Sequence, residues 1–515
     1  MDAQYASVST IALDGVNGIP VAVECHAGAG TPGVQIVGLP DSAISEARNR
    51  IRAAISVSKL TWTDARITFN LAPAHVRKTG TGYDLAMAMA LQAAYKAVPA
   101  ARLSGTAFVG ELGLDGTLHK VRGVLPAMLA ASRAGFSRIV LPDANRAEAA
   151  IAVGDGRDMQ VMCAPTLHDV VAYFRAEDNC VSTVPAAAPA PCPPTADLTD
   201  VRGQPLARRA LEIAAAGGHH LLMVGPPGAG KTMLAARMPS ILPPLDEVSA
   251  LEVTSIHSLS GTLDESAPLH QQPPFEAPHH SATAVAIIGG GSGLVRPGSI
   301  SRAHRGILFL DEAPEFSRHV LDQLRQPIES GSITVHRAAA TVTFPARFQL
   351  IMAANPCPCA APLGDAYCVC TSSLRRRYLQ RLSGPLMDRI DMSLQLQPAS
   401  RFALLDHVTQ PEGSSAVLER VTTARARAIE RWSEFGGVLN SAVPANALAR
   451  RWQPDGLSRT LLDRALEAGA LSARGLDRVL RVSWTLADLA GRSAPAVDDV
   501  AEALSYRDRS VVAVA

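Results

Sequence analysis

The sequence predicts an α/β protein. A parallel sheet with a glycine-rich loop at one strand end forms its centre, a separate α/β domain precedes it, and a helical domain follows. Three observations predict this. Residues 219–237 read as an apolar strand, a glycine-rich turn and a helix. Residues 181–196, VSTVPAAAPAPCPPTA, carry five Pro, five Ala and no charge, a composition that cannot bury a core and reads as a linker. Helical spacing of apolar residues runs through the last hundred or so positions, as in Ser415 to Trp432 and Leu476 to Ala490.

Composition bounds the function classes. The chain has 515 residues, 48 basic and 47 acidic, for a net charge of +1. That excludes a strongly basic, arm-type nucleic-acid binder and leaves only local patches. With 47% hydrophobic and 18% charged residues the chain is globular. No apolar run approaches the ~18 residues of a membrane span. The start, MDAQYASVST, has no basic segment followed by an apolar one, so a cytoplasmic protein without a membrane partner is expected. The basic residues are 43 Arg and 5 Lys, and after Lys120 the single remaining lysine is Lys231. A lysine kept in an arginine-writing chain marks a place where a compact ammonium matters.

The elements follow in order. Within 1–180, Val21 to Glu24 and Arg66 to Leu71 alternate as strands do, and Asp41 to Val57 and Asp84 to Lys96 read as helices. Ala127 to Ala134 is a further helix before a strand at Arg138 to Leu141. In 197–397, the helix Gln204 to Ala216 leads into the strand HHLLMVG, with further strands at Gly306 to Leu310 and Phe348 to Ala353. Ser332 to Phe344, SITVHRAAATVTF, reads as a β-hairpin. Residues 398–515 form the helical domain.

The chemistry concentrates in the middle. Gly225, Pro226, Pro227, Gly228, Ala229, Gly230, Lys231 and Thr232 spell GPPGAGKT. Glycines let backbone N–H groups turn inward around phosphate oxygens, Lys231 reaches the β- and γ-phosphates, and Thr232 offers its hydroxyl to Mg²⁺. ATP and Mg²⁺ are therefore the expected ligands. In ILFLDE an apolar strand ends in two acids: Asp311 would hold the metal through water, and Glu312 would polarise the attacking water. Asn355 ends another apolar strand and either orients that water or forms an Asn-Pro turn. Cys357, Cys359, Cys368 and Cys370 spell C-x-C-x₈-C-x-C within 357–370. Four thiolates suit a closed, structural Zn²⁺ site; buried free thiols or an iron–sulfur cluster are the alternatives.

GQPLARRALEIAAAGGHHLLMVGPPGAGKT, APHHSATAVAIIGGG, RPGSISRAHRGILFLDEAPEF, LIMAANPCPC and SGPLMDRID together resemble the YifB/ComM family of magnesium-chelatase-like AAA+ ATPases, over essentially the whole chain. The resemblance implies an S5-like N-terminal domain of the ChlI/Lon type, an AAA+ core with an insert near Pro278 to Arg302, a pore-facing hairpin at Ser332 to Phe344, and a helical lid. It implies a homo-hexameric, ATP-driven helicase acting on single-stranded or branched DNA, as in natural transformation. Asn355 then matches sensor 1 and Arg474 sensor 2. Arg389 matches an arginine finger acting in trans; otherwise it is a surface Arg paired with Asp388 or Asp391. Arg478 and Arg481 lie at helical spacing beyond Arg474 and either add to its charge or form a solvated stripe. Arg337 is the candidate DNA contact, or a solvated turn residue. The arginines of LRRRYLQR serve a subunit interface or DNA. His279, His280 and His304 match family positions without a role. Gly82 and Leu125 fall where Lon-type proteases carry Ser and Lys, so residues 1–180 are non-proteolytic and open to a protein partner. Ser299 and Trp484 depart from the family pattern, which has an acid and an Arg there. The competing function is an ATPase that remodels a protein partner.

Overall fold

The computed structural model describes residues 4–153, 159–177, 181–185, 196–264, 269–291, 295–337, 340–360, 368–398, 411–451, 454–469 and 471–507. Strands Gln4–Asp14 and Asn17–Gly28 pair antiparallel from Gln4↔Ala27 to Asp14↔Asn17. Their alternation turns Val8, Ala12, Val21, Val23 and Cys25 inward. They centre an eight-stranded sheet in the order Ser182–Thr183, Gln160–Ala164, Arg138–Pro142, Thr106–Phe108, Gln4–Asp14, Asn17–Gly28, Arg66–Ala72, Gly33–Val37. Helix Ser42–Val57 is capped by Asp41, whose carboxylate accepts from the Ile44 N–H, and it buries Ile44, Ile51 and Ile55. Helix Asp84–Ala94 is buried on every side, which explains its unpatterned run of Ala and Met.

The linker expected at 181–196 begins later than its composition suggests. Ser182–Thr183 pairs antiparallel with Gln160–Ala164, and Val181 and Val184 are buried in the N-terminal domain. The Val-Ser-Thr-Val start alternates as an edge strand does. Residues 186–195 lie outside the described residues.

The central sheet is parallel throughout, in the order Phe275–Glu276, Ile307–Leu310, Gln349–Ala354, Leu221–Val224, Met392–Gln395. LLMV, ILFL and QLIMAA are entirely buried, as strands covered on both faces must be. The hairpin Ser332–Arg337/Ala340–Pro345 pairs from Ser332↔Pro345 to Arg337↔Ala340, with Ile333, Val335, Val342 and Phe344 facing the core. The C-terminal helices Ser414–Arg431 and Ala473–Leu489 pack on each other and on helix Pro205–Gly217. The N-terminal domain meets the core where helix Val124–Arg133 lies against helix Glu247–Ser260, and there Ser258 donates to the buried Glu148. Among the described residues, no helix is long and apolar enough to cross a membrane.

Candidate nucleotide site

Because the central strands are parallel, their carboxyl ends gather at one edge, and the loops there carry the chemistry. The loop after Leu221–Val224 passes close to Leu396: a Cβ at Gly225 would lie 2.8 Å from the Leu396 Cβ and 2.9 Å from its carbonyl oxygen. Gly230, at φ +87°, turns the chain into helix Lys231–Arg237. Lys231 is buried, and its Nζ donates to the Gly225 carbonyl (2.6 Å), the Pro226 carbonyl (2.9 Å) and Asn355 Oδ1 (3.0 Å). Burial lowers its pKa, while the Asp311 and Glu312 carboxylates oppose that shift. Thr232 Oγ1 donates to Asp311 Oδ2 at 2.6 Å, and the Glu312 N–H donates to Asp311 Oδ1 at 2.9 Å. Glu312 turns away at φ +50°, with Oε2 3.2 Å from His280 Nδ1. Lys231, Thr232, Asp311, Glu312 and Asn355 thus meet at one edge.

That edge fits a magnesium-bound triphosphate. The Lys231 ammonium, held by two carbonyls and an amide oxygen, stands at the start of a helix that follows a glycine-rich loop, the arrangement that binds phosphate. Thr232 and Asp311 offer two oxygens already in contact, the hard donors Mg²⁺ takes.

Arg389 and Arg474 are not brought to this edge. Asp391, two residues after Arg389, leads into strand Met392–Gln395 and is fully buried. Its Oδ1 accepts from Arg478 Nη1 at 2.7 Å and its Oδ2 from the His220 N–H at 2.9 Å, with His219 Nδ1 at 3.6 Å. His220 Nδ1 accepts from the Leu350 N–H at 2.9 Å, and His219 Nε2 meets Thr485 Oγ1 at 2.8 Å. All of these groups sit at the amino ends of the strands. Four-residue strands put that edge about 13 Å from the phosphate loop. Arg474 lies one turn before Arg478 on helix Ala473–Leu489 and is exposed. The guanidinium of Arg389 binds Glu329 Oε1 (2.6 Å) and the Pro385 carbonyl (2.6 Å), while the Asp391 carboxylate is taken up by Arg478 and the His220 N–H. The expected solvated stripe is overturned: Arg478 pairs with buried Asp391, and Arg481 donates to the Val443 carbonyl at 2.7 Å.

Beyond Asn355 the four cysteines converge, their sulfur atoms all within 4.8 Å of one another and not joined in disulfides. Neighbouring Sγ separations are 3.2 Å (Cys357–Cys359), 3.3 Å (Cys357–Cys368) and 3.5 Å (Cys359–Cys368). A tetrahedral thiolate site needs about this spacing, and it is closed by protein on all four corners.

Three family descriptions match the chain: magnesium chelatase, subunit ChlI over residues 197–404, subunit ChlI of Mg-chelatase over 23–145, and the ChlI C-terminal part over 411–507. A Mycobacterium tuberculosis protein is 46% identical over 500 residues, 97% of each chain. YifB of Escherichia coli is 40% identical over 500 residues, 97% of this chain and 96% of that one. Competence protein ComM of Haemophilus influenzae is 40% identical over 508 residues, 98% of this chain and 97% of that one. The chain belongs to the YifB/ComM family of magnesium-chelatase-like proteins. Membership makes it an AAA+-type ATPase, with ATP and Mg²⁺ as the implied substrate and cofactor.

Ser299 and Trp484, the two expected departures, have local partners. Ser299 Oγ accepts from Arg302 Nη2 (2.9 Å), and Glu276 supplies a carboxylate in a two-point contact with that arginine (3.1 and 2.8 Å). Trp484 is buried against Trp432, and the Arg431 guanidinium lies 4.3 Å from its ring centroid. In the N-terminal domain, Gly82 and the buried Leu125 supply no nucleophile or base. His304 is structural: its Nδ1 accepts from the Arg347 N–H (3.0 Å), its Nε2 meets Glu252 (3.2 Å), and burial pushes its pKa down to about 4. Sequence reasoning missed the Asp391–Arg478 pair. The sole available signal was an acid two residues after Arg389, which gives no hint of its partner 87 positions away.

Proposed function

We propose that this chain is an ATP-driven DNA motor that works as a homo-hexameric ring. Lys231 and the loop N–H groups bind the triphosphate. Mg²⁺, held by Thr232 and Asp311, would neutralise phosphate charge. Glu312 accepts a proton from the attacking water while Asn355 orients that water. Arg389, at the far edge of the sheet, serves the nucleotide of the neighbouring subunit, and the exposed Arg474 supplies a second positive charge to that same neighbouring nucleotide rather than to its own. The four cysteines hold a structural Zn²⁺ that braces the segment between Asn355 and Arg389. Removing that metal with a strong chelator should lower turnover while leaving nucleotide binding in place. Unchanged turnover after metal loss verified by elemental analysis would remove the bracing role.

One observation carries the choice of DNA over a protein substrate. The hairpin's single aromatic, Phe344, is buried in the core, and the turn sequence HRAAA offers an exposed His336 followed by Arg337. A basic, non-aromatic tip suits a phosphate backbone, whereas threading a polypeptide calls for an aromatic grip. The relative named competence protein ComM points the same way. The test is steady-state ATP hydrolysis with and without forked DNA, with Lys231→Ala as the blank. Several-fold stimulation, absent in the variant, is expected. Hydrolysis indifferent to every DNA tested would instead indicate remodelling of a protein bound through residues 1–180.

A further inference from the structure

The N-terminal domain takes no part in the chemistry above, yet its first turn is seated in the motor. Strands Gln4–Asp14 and Asn17–Gly28 are joined by the two-residue turn Gly15-Val16. Turn tips ordinarily face water, because their backbone groups leave the ladder there. Gly15 is instead buried. A Cβ at Gly15 would lie 2.8 Å from the Thr343 carbonyl oxygen, 3.3 Å from Val342 Cγ1 and 3.7 Å from Phe344 Cε1. Its φ of +59° also disfavours any side chain. The tip thus lies directly against the second strand of the hairpin Ser332–Arg337/Ala340–Pro345.

The hairpin needs such a support. Among the described residues it is a two-stranded sheet joined to no other strand, and a ribbon of that size has little stability of its own. Its direction is therefore set by what covers its apolar face. Val335, Val342 and Phe344 line that face, and Leu13 and Val16 pack against their cluster. The support is itself anchored. Leu13 also packs on the N-terminal cluster that holds Ile11 and Leu125. A Cβ at Gly123, where helix Val124–Arg133 begins, would lie 2.5 Å from Leu13 Cδ1 and 2.9 Å from Leu259 Cδ2, so both domains close on Leu13. Beside it, Ser258 and the Leu125 N–H (2.9 Å) both donate to Glu148. Packing is thus continuous from the N-terminal sheet to the hairpin.

We propose that the N-terminal domain is a buttress for the hairpin. The turn Gly15-Val16 holds it in the position that grips a nucleic-acid backbone, and load on the hairpin passes through Leu13 into the N-terminal sheet. This rests on the hairpin being the DNA contact of the proposed motor.

The experiment compares full-length wild type, Val16→Asp and Val16→Ala by amide hydrogen exchange and by ATP turnover over a range of forked-DNA concentrations. Val16→Asp puts a carboxylate into an apolar seat and should undock the turn. Exchange in the hairpin strands should then rise about ten-fold or more, with strands Leu221–Val224 and Ile307–Leu310 unchanged. DNA-free kcat and KM for ATP should stay at wild-type values, because no nucleotide contact is touched. The DNA concentration giving half-maximal stimulation should rise about ten-fold, as the gripping position becomes a minor population. Val16→Ala should show the same two changes in smaller measure, and it decides the matter if Val16→Asp opens the N-terminal sheet as well. Hairpin exchange equal to wild type in both variants would overturn the buttress. So would a fall in DNA-free kcat of the folded variants, which would make the turn a support of the whole core. Faster hairpin exchange with an unchanged DNA requirement, where wild type is stimulated, would overturn it too. Should no DNA stimulate wild type while hairpin exchange still rises in the variants, the DNA reading falls and the buttress stands.

Discussion

Replacing Arg389 by Ala should lower ATP turnover by about 10³–10⁵-fold, the range seen when a finger that stabilises phosphoryl-transfer charge is removed. Its present partners, Glu329 at 2.6 Å and the Pro385 carbonyl, anchor it at the edge of the sheet opposite the phosphate loop of its own subunit. As a purely structural pair, with Glu329 exposed and Arg389 largely buried, it would affect stability, and its loss would barely move turnover of the folded protein. The two accounts therefore differ by orders of magnitude. Mixing decides whether the action crosses subunits. Arg389→Ala and Glu312→Gln should each be nearly inactive alone. In mixed rings a site with intact Glu312 meets a neighbour with intact Arg389, and measurable turnover should return. Mixtures as inactive as their components, with mixed assembly verified by mass, would confine Arg389 to its own subunit. Loss of less than ten-fold in Arg389→Ala would end its assignment as a finger.

What the sequence made legible depended on the range of the interaction. The phosphate loop is local, eight consecutive residues whose backbone conformation is nearly dictated by Gly225, Gly228 and Gly230, so its strand and helix were readable. ILFL and QLIMAA were readable because buried parallel strands are written as unbroken apolar runs. The N-terminal sheet was harder. Strand Gln4–Asp14, QYASVSTIALD, alternates only weakly, and its inward positions include Ala6 and Thr10, which carry little hydrophobic signal. The linker start was misread because composition outweighed the alternation of Val181 and Val184. Arg478 was misread for a different reason. A helical stripe of arginines looks solvated unless the acid that buries it is known, and Asp391 comes from another domain. His280 matched a family position, yet its contact with Glu312 exists only once two parallel strands lie side by side.

Asp391 should prove the most stability-critical charged residue of the core. Its carboxylate is fully buried, and Arg478, first among its charged neighbours, holds its pKa well below the usual range despite the burial that opposes this. Asp391→Ala leaves the Arg478 guanidinium and the His220 N–H without their acceptor, and breaking one side of such a buried pair costs about 3–5 kcal/mol. For a unit the size of the core and lid that corresponds to a fall in Tm of about 10 °C. The double variant Asp391→Leu with Arg478→Met removes both charges and should be less destabilised than Asp391→Ala alone, because no unpaired charge stays buried. The same junction sets a pH dependence. His220 accepts a backbone N–H through Nδ1, and burial pushes its pKa down to about 4 from 6.5. Between those values the unfolded chain binds a proton that the folded one refuses, so stability falls as pH drops from about 6.5 toward 4. Asp391 has a depressed folded pKa, so its contribution is present above the unfolded value of about 3.9 and drains away below it. Thermal melts from pH 7 to 3 should show both limbs in wild type, and the second should be smaller in Asp391→Ala. A melt of Asp391→Ala within a degree or two of wild type at pH 7 would mean that the lid does not depend on this pair, and that Arg478 and Arg474 are held by packing against helix Pro205–Gly217 instead.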